Sequence, residues 1–368
     1  MRSQPSERYR RQVLLPEVGP EGQARLLAAS ALVVGVGGLG APAATYLAAA
    51  GVGRIGLVDF DHVETSNLHR QPLYTSHDVG RPKLDVASER LRVLNPDVAV
   101  EPHAARLDAG NAGRLIERYD VVLDGTDTFA TRYLVNDASI LTGTPNVFAS
   151  VSRFDGQASV FGAPEGPCYR CLFPSPPPAG LVPNCAEGGV IGVLPGLLGT
   201  IQATEALKLL LGLGTPLVGR VLSVDALSMA VRELQLDRDP ECPVCGDHPD
   251  ITSLDHHRPM ASVPEITVQD LKSRIDAGNR PFILDVRGPD EYEGANIDGA
   301  LIPLGQLPER LDEIREHQDD DVVVHCRSGA RSAKAVEYLR DNGFANAVNL
   351  KGGIHAWSDE IDPSLPKV

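Results

Sequence analysis

Ala31-Leu32-Val33-Val34-Gly35-Val36-Gly37-Gly38-Leu39-Gly40 is the stretch that decides the fold of the N-terminal part of this chain. Its opening apolar run reads as a strand covered on both faces, because a half-exposed strand would alternate polar and apolar residues. Gly35, Gly37 and Gly40 then fit the G-x-G-x-x-G turn, with Gly38 keeping the backbone bare where a phosphate approaches a helix N-terminus. Residues 41–51 (APAATYLAAAG) read as that helix, and residues 54–61 (RIGLVDFD) as a second strand. The unit is βαβ. Alternation continues, with helices at 83–94 and 112–118 and extended segments at 98–102 and 120–124, so the pattern predicts an α/β doubly wound parallel sheet.

Further along, residues 172–189 are too rich in proline and glycine for regular structure and read as a long loop. Residues 190–213 are the most apolar stretch, but Pro195, Gln202, Glu205 and Lys208 interrupt it. It reads as a loop leading into a buried or interfacial helix, not a membrane span. Residues 249–263 lack periodicity and read as a linker between a first domain, 1–248, and a second, 264–368. The second domain shows its own alternation, with helices at 268–277 and 331–342 and strands at 281–286, 321–325 and 347–350. It is a small α/β unit of about 100 residues.

The chain has 368 residues, 42% of them hydrophobic, and a formal net charge of −15. That field repels a nucleic-acid backbone or an anionic membrane surface. The N-terminal residues lack an apolar signal core and six cysteines are too few for a disulfide framework in a chain this long, which predicts a cytoplasmic location.

Asp59, at the end of the second strand, sits where an acid hydrogen-bonds a ribose, a placement that suits NAD as well as ATP. The cluster Ser66-Asn67-Leu68-His69-Arg70-Gln71 and Arg81-Pro82-Lys83 adds positive charge near the same sheet end and favours a triphosphate. Asp127, in Asp124-Gly125-Thr126-Asp127, is suited to hold Mg²⁺ or orient a phosphate. Two Cys-x-x-Cys pairs, Cys168/Cys171 and Cys242/Cys245, supply four thiolates for a closed, structural Zn²⁺ site. Cys185 and Cys326 remain free. Cys326 follows the apolar run Val322-Val323-Val324 and opens the loop Cys326-Arg327-Ser328-Gly329-Ala330-Arg331, whose backbone N–H groups can stabilise a thiolate.

The order Arg8-Tyr9-x-Arg11-Gln12, GVGGLG, VDFD, SNLHRQ, GRPK, DGTD and the two Cys-x-x-Cys pairs resembles the ThiF/molybdopterin-synthase adenylyltransferase family, relatives of the ubiquitin-activating enzymes, over about residues 7 to 247. The resemblance implies a Rossmann-like adenylation domain that uses ATP and Mg²⁺ to activate the C-terminal glycine of a small ubiquitin-like carrier. It implies nucleotide binding by Gly35, Gly37, Gly38, Gly40, Asp59 and Asp61, phosphate contacts by Asn67, Arg70 and Lys83, and a Mg²⁺-linked role for Asp127. It also implies a homodimer in which Arg11 reaches the partner's nucleotide, and a Cys185 that receives an acyl group or resolves a persulfide. Thr128 stands where relatives often have Asn.

Over about residues 264 to 360, Leu284-Asp285-Val286-Arg287, Glu291-Tyr292, Gly299-Ala300, the Cys326 loop and Gly352-Gly353-x-x-Ala356-Trp357 resemble the rhodanese family. A cysteine phosphatase is the rival, but its loops follow Cys-x5-Arg, whereas Cys326 to Arg331 is Cys-x4-Arg, a smaller cradle. Cys326 is thus expected to carry a persulfide, with Asp285 and Arg287 structural. The two halves together predict a sulfur-carrier adenylyltransferase and sulfurtransferase. It would make a C-terminal thiocarboxylate on a carrier ending in Gly-Gly, with sulfur from a persulfide donor such as a cysteine desulfurase.

Overall fold

Two units make up the chain in the computed structural model, Met1–Arg258 and Pro259–Val368. The structure describes residues 7–176, 189–257 and 263–366.

The first unit is built on an eight-stranded sheet in the order β3-β2-β1-β4-β5-β6-β7-β8. Its strands are β1 (Ser30–Val34), β2 (Arg54–Val58), β3 (Ala99–His103), β4 (Val121–Asp124), β5 (Asn146–Ser152), β6 (Asp155–Phe161), β7 (Arg220–Asp225) and β8 (Ala230–Gln235). Ser30–Val34 is buried throughout, as its apolar run predicts. Ala31 and Val33 enter one core with the helices Gly40–Ala50, Lys83–Leu94 and Val193–Leu211. Leu32 and Val34 enter the opposite core with Phe129–Thr142. The sheet is therefore covered on both faces. Going outward from β1, the chain runs to β2 and β3 on one side and to β4 and β5 on the other, which places the switch of direction between β1 and β4. Ligands bind at the carboxyl ends of strands at such a point.

The sheet is parallel only from β3 to β5, because β6, β7 and β8 join antiparallel. The doubly wound parallel sheet is present as expected, and these three strands extend it at one edge. The local sequence hides this extension: β6 carries small residues such as Gly156, Ala158 and Ser159, while five of the six residues of β8 are exposed and show no alternation.

Residues 190–213 fold as expected, with a helix at Val193–Leu211 packed through Leu194, Leu198, Ala203 and Ala206. Gly199 lies so close to the start of the helix Gly40–Ala50 that a Cβ there would stand 2.3 Å from Leu39 O. Among the described residues, no helix is long and apolar enough to cross a membrane.

The stretch expected as the start of a linker is instead attached to the first unit. Ile251 N–H donates to Pro243 O at 2.8 Å, Leu254 packs against the Leu107, Ala112 and Ile116 cluster, and His256 and His257 both reach Asp137. Burial and hydrogen bonding hold it where sequence shows no periodicity.

The second unit has five parallel strands in the order β11-β10-β12-β13-β9. They are β9 (Glu265–Ile266), β10 (Phe282–Asp285), β11 (Ala300–Leu301), β12 (Val322–His325) and β13 (Ala347–Leu350). Val322 and Val324 face one core and Val323 the other, so this sheet too is covered on both sides.

Candidate active sites and metal centre

A cavity of about 490 Å³ opens at the carboxyl ends of β1, β2 and β4, a size within the range that holds a small organic ligand. Each wall follows from a strand end. After β1, Gly35 takes φ +84°, and a Cβ at Gly40 would lie 1.9 Å from Gly35 O, so only glycine lets the helix Gly40–Ala50 begin this close to the strand. Gly35, Gly37 and Gly38 line the cavity at that helix start, where Ala41 and Ala43 N–H donate to Gly37 O and Leu39 O. Gly40 does not line it, and acts through packing.

After β2, the Asp59 carboxylate accepts from Val36 N–H at 2.8 Å through Oδ2 and from Asp61 N–H at 2.9 Å through Oδ1, which ties one oxygen to the glycine turn and the other to its own turn. Asp61 accepts from Lys83 Nζ at 3.0 Å. Asn67 is buried and closes a short turn by accepting from Glu64 N–H. Arg70 donates to Ser66 O at 2.8 Å and presents its side chain to the cavity. After β4, Asp127 is exposed at the cavity wall, while Asp124 is fully buried and accepts from Thr126 N and Oγ1 at 2.9 and 2.6 Å. Burial pushes the Asp124 carboxyl up. Thr128 caps the helix Phe129–Thr142 by accepting from Thr131 N–H, a task at which Thr and Asn are both effective.

Asp59, Asp61, Asn67, Arg70, Lys83 and Asp127 thus meet around one space. Phe60, Arg106 and Arg132, which the sequence did not mark, line the same cavity, as does Gln71. Gln71 Oε1 and Arg132 Nε are buried without a partner, so the cavity holds polar atoms that a ligand would satisfy. Gln71 lay within the SNLHRQ motif. Arg106 had no local signal, since its strand end is irregular. Arg11 is exposed and does not line the cavity of its own chain. Cys185 lies outside the described residues.

The four pair cysteines converge. Cys168 and Cys242 Sγ are 3.5 Å apart, Cys171 and Cys245 3.4 Å, and Cys168 and Cys171 4.0 Å, far beyond a disulfide bond. A tetrahedron with metal–sulfur bonds of about 2.3 Å has edges of about 3.8 Å, so the separations fit Zn²⁺. Cys168 N–H and Asp239 N–H also point at Cys171 Sγ, each at 3.4 Å, as suits a thiolate. A second cluster, Asp137 with His256 and His257, has histidine nitrogens 2.9 and 2.7 Å from one carboxylate oxygen. These are hydrogen-bond lengths, and the same carboxylate already takes a two-pronged bond from Arg170. It is a latch of hydrogen bonds.

In the second unit, Cys326 lies at the floor of the loop after β12, 1% exposed. Its Sγ accepts from Gly329 N–H at 3.2 Å and Ser332 Oγ at 3.3 Å. Burial raises the thiol pKa, but bonds from the Ser332 hydroxyl and the Ser332, Ser328 and Gly329 N–H groups outweigh it and hold Cys326 below its ordinary value. Gly352 and Gly353, both at positive φ, bring the next helix against the loop, where Ile354 and His355 N–H donate to Cys326 and Arg327 carbonyls. A Cβ at Gly353 would lie 2.3 Å from Cys326 O. Asp285 and Arg287 form a fully buried ion pair beside this site. Ser332 is a contact that the sequence reading did not single out, although its place just after Arg331 put it at the loop's end.

A switch-point cavity lined by acids and cations, joined in one chain to a cradled thiol, defines an enzyme of nucleotide and sulfur transfer. Two family models match the chain, the ThiF family over residues 9–244 and the rhodanese-like domain over residues 267–360. It is 44% identical to the probable adenylyltransferase/sulfurtransferase MoeZ of Mycobacterium tuberculosis, over 97% of this chain and 94% of that protein. With the sulfur carrier protein adenylyltransferase of Thermus thermophilus it shares 58% identity, over 66% of this chain and 92% of the relative. Adenylyltransferase and sulfurtransferase MOCS3 of Sus scrofa is 43% identical over 98% of this chain and 87% of its own. Among solved structures, E. coli MccB with ATP superposes with a TM-score of 0.59 at 22% identity, over 65% of this chain and 75% of that one, a likeness of fold. The chain belongs to the ThiF family, with a rhodanese-like domain after it, and is an adenylyltransferase and sulfurtransferase.

Proposed function

We propose that this enzyme adenylates the C-terminal glycine of a small ubiquitin-like sulfur carrier ending in Gly-Gly and then converts it to a thiocarboxylate with sulfur carried on Cys326. The observation that carries the reading is the pairing of the Asp59, Lys83 and Asp127 cavity with a thiol whose pKa its loop depresses. A carboxylate is a poor acyl donor. Its oxygen attacks the α-phosphorus of ATP and pyrophosphate leaves, with Arg70 and Lys83 offsetting phosphate charge, Asn67 positioning it and Asp127 suited to hold Mg²⁺. Asp59 receives the ribose, and Arg11 serves the cavity of a second copy in a homodimer.

A persulfide donor such as a cysteine desulfurase loads Cys326, whose thiolate attacks the donor's terminal sulfur while the donor thiolate leaves. The outer sulfur of Cys326 then attacks the acyl carbon and AMP departs. A second thiol, assigned to Cys185, attacks the Cys326 sulfur of the acyl persulfide. That step releases the thiocarboxylate and leaves a disulfide for an external dithiol to reduce. Zn²⁺ on Cys168, Cys171, Cys242 and Cys245 is structural, tying two distant segments of the first unit. The setting is the cytoplasm, with no membrane or nucleic-acid partner.

Cys326→Ala tests the reading. The variant should release pyrophosphate with a carrier but give no thiocarboxylate from a persulfide donor when free sulfide is kept low. Thiocarboxylate at the wild-type rate would remove Cys326 from the mechanism, and NAD reduction without pyrophosphate release would point to an oxidoreductase instead.

A further inference from the structure

Arg331 closes the Cys326 loop with its guanidinium already engaged. Nη1 and Nη2 donate to Glu291 Oε2 and Oε1 at 2.7 and 2.6 Å, two parallel bonds to one carboxylate. Glu291 is itself fixed, because Gly288 N–H donates to its Oε2 at 3.1 Å where the short helix Pro289–Gly294 begins. The Arg331 bonds come first among the causes that hold Glu291 down at about 2, so it remains an anion in neutral solution. The Arg331 charge is favoured mainly by Glu291 and to a lesser extent by Cys326, which places the guanidinium within electrostatic reach of the sulfur. The two side chains are 38% and 29% exposed, so solutes can reach the pair.

An arginine fork can take two oxygens of a carboxylate, a phosphate or a sulfate through two parallel N–H bonds. Here a carboxylate of the same chain takes the place of the oxyanion. We propose that Glu291 is a specificity-determining residue, whose carboxylate occupies the two-pronged face of Arg331 so that the loop rejects sulfur donors built on an oxyanion and accepts alkyl persulfides. The proposal rests on Cys326 as the sulfur-accepting thiol.

Both donor classes lead to the same product. With thiosulfate, the Cys326 thiolate attacks the outer sulfur, the sulfur–sulfur bond breaks and sulfite leaves with the electron pair. With an alkyl persulfide, it attacks the terminal sulfur and an alkyl thiolate leaves. Only the first route asks the loop to hold a multiply charged oxyanion beside Glu291. Arg327, the loop's other arginine, has its Nε directed at His355 Nε2 at 3.3 Å. Selectivity then comes from a repulsive group as much as from an attractive one.

The test uses the full chain with Glu291→Gln and Glu291→Ala. Loading of Cys326 is followed by intact mass with thiosulfate and with cysteine persulfide, and alkylation of Cys326 is followed with and without added sulfate. In both variants the KM for thiosulfate should fall by about tenfold or more, the worth of a charged hydrogen bond. Sulfate should begin to protect Cys326 from alkylation, and loading from cysteine persulfide should stay within about threefold of wild type. Wild-type KM for thiosulfate and no sulfate protection in either folded variant would overturn the proposal, as would a wild type that prefers thiosulfate. Sulfate protection reads the arginine fork whether or not Cys326 carries sulfur, so failure of the sulfur-carrier assignment shows separately, as wild-type Cys326 that neither donor loads.

Discussion

Lys83 Nζ stands 3.0 Å from Asp61 Oδ2, with the lysine side chain 8% exposed and the aspartate 54%. Both side chains line the cavity, so a phosphate arriving there meets the Lys83 side chain. Lys83→Ala and Asp127→Ala should each lower carrier-dependent ATP–pyrophosphate exchange by at least about a hundredfold, because charge developing on the phosphates loses its counter-charge or its metal ligand. Near-normal exchange in both variants would refute the nucleotide assignment.

The cysteine tetrad predicts about one zinc ion per chain. Cys171 accepts from two backbone N–H groups as well as facing Cys168 and Cys245, so Cys171→Ser disturbs the set at its most connected member. The variant should lose the metal and its first unit should unfold at a clearly lower temperature, since the binding energy of a closed thiolate site is folding energy. Metal analysis and calorimetry check this. A metal-free wild type with unchanged stability would rule the site out.

The strand–turn–helix units of both halves were legible because their central strands are unbroken apolar runs and their turns carry glycine. Residues 83–94 and 347–350 fall on the elements the periodicity marks, Lys83–Leu94 and Ala347–Leu350. The cavity acids Asp59, Asp61 and Asp127 were legible because each lies within three residues of a strand end. What stayed hidden depends on distant partners. Strand β8 is paired on one edge and exposed on its faces, so it has no period, and residues 249–257 are held by Asp137 from far along the chain as well as by nearby Pro243. Arg331 was visible as a loop cation, but its partner Glu291 stands forty residues upstream, beyond any local pattern.

Arg11 is exposed and outside the cavity of its own chain, and the proposed homodimer assigns it to the partner's nucleotide. Arg11→Ala should reduce adenylation without preventing dimer formation. Mixing Arg11→Ala with Lys83→Ala subunits should restore part of the exchange activity, because one composite cavity in each heterodimer has both residues intact. Heterodimers demonstrated by tag capture yet without activity would count against the cross-subunit role.

His325 gives a pH dependence that can be read on the second unit alone. The ring is fully buried, neither nitrogen has a hydrogen-bond partner, and Nε2 is 3.5 Å from Asp285 Oδ2. Burial is the main cause that lowers its pKa to about 4; Asp285 opposes it and Arg287 adds to it. The unfolded ring titrates near 6.5, so between about 6.5 and 4 the unfolded chain binds more protons than the folded one. This contribution is therefore complete above about 6.5 and is lost as the pH falls toward 4, a difference of about 3 kcal/mol for a shift of this size. Trp357 is the chain's single tryptophan and packs in the core beside Ile354 and Leu350, so its fluorescence reports this unit within the full protein. Urea midpoints should fall across that window in the wild type and fall much less in His325→Asn, while carboxylates common to both cancel in the comparison. Parallel pH profiles for the two proteins would show that His325 is not the group that titrates.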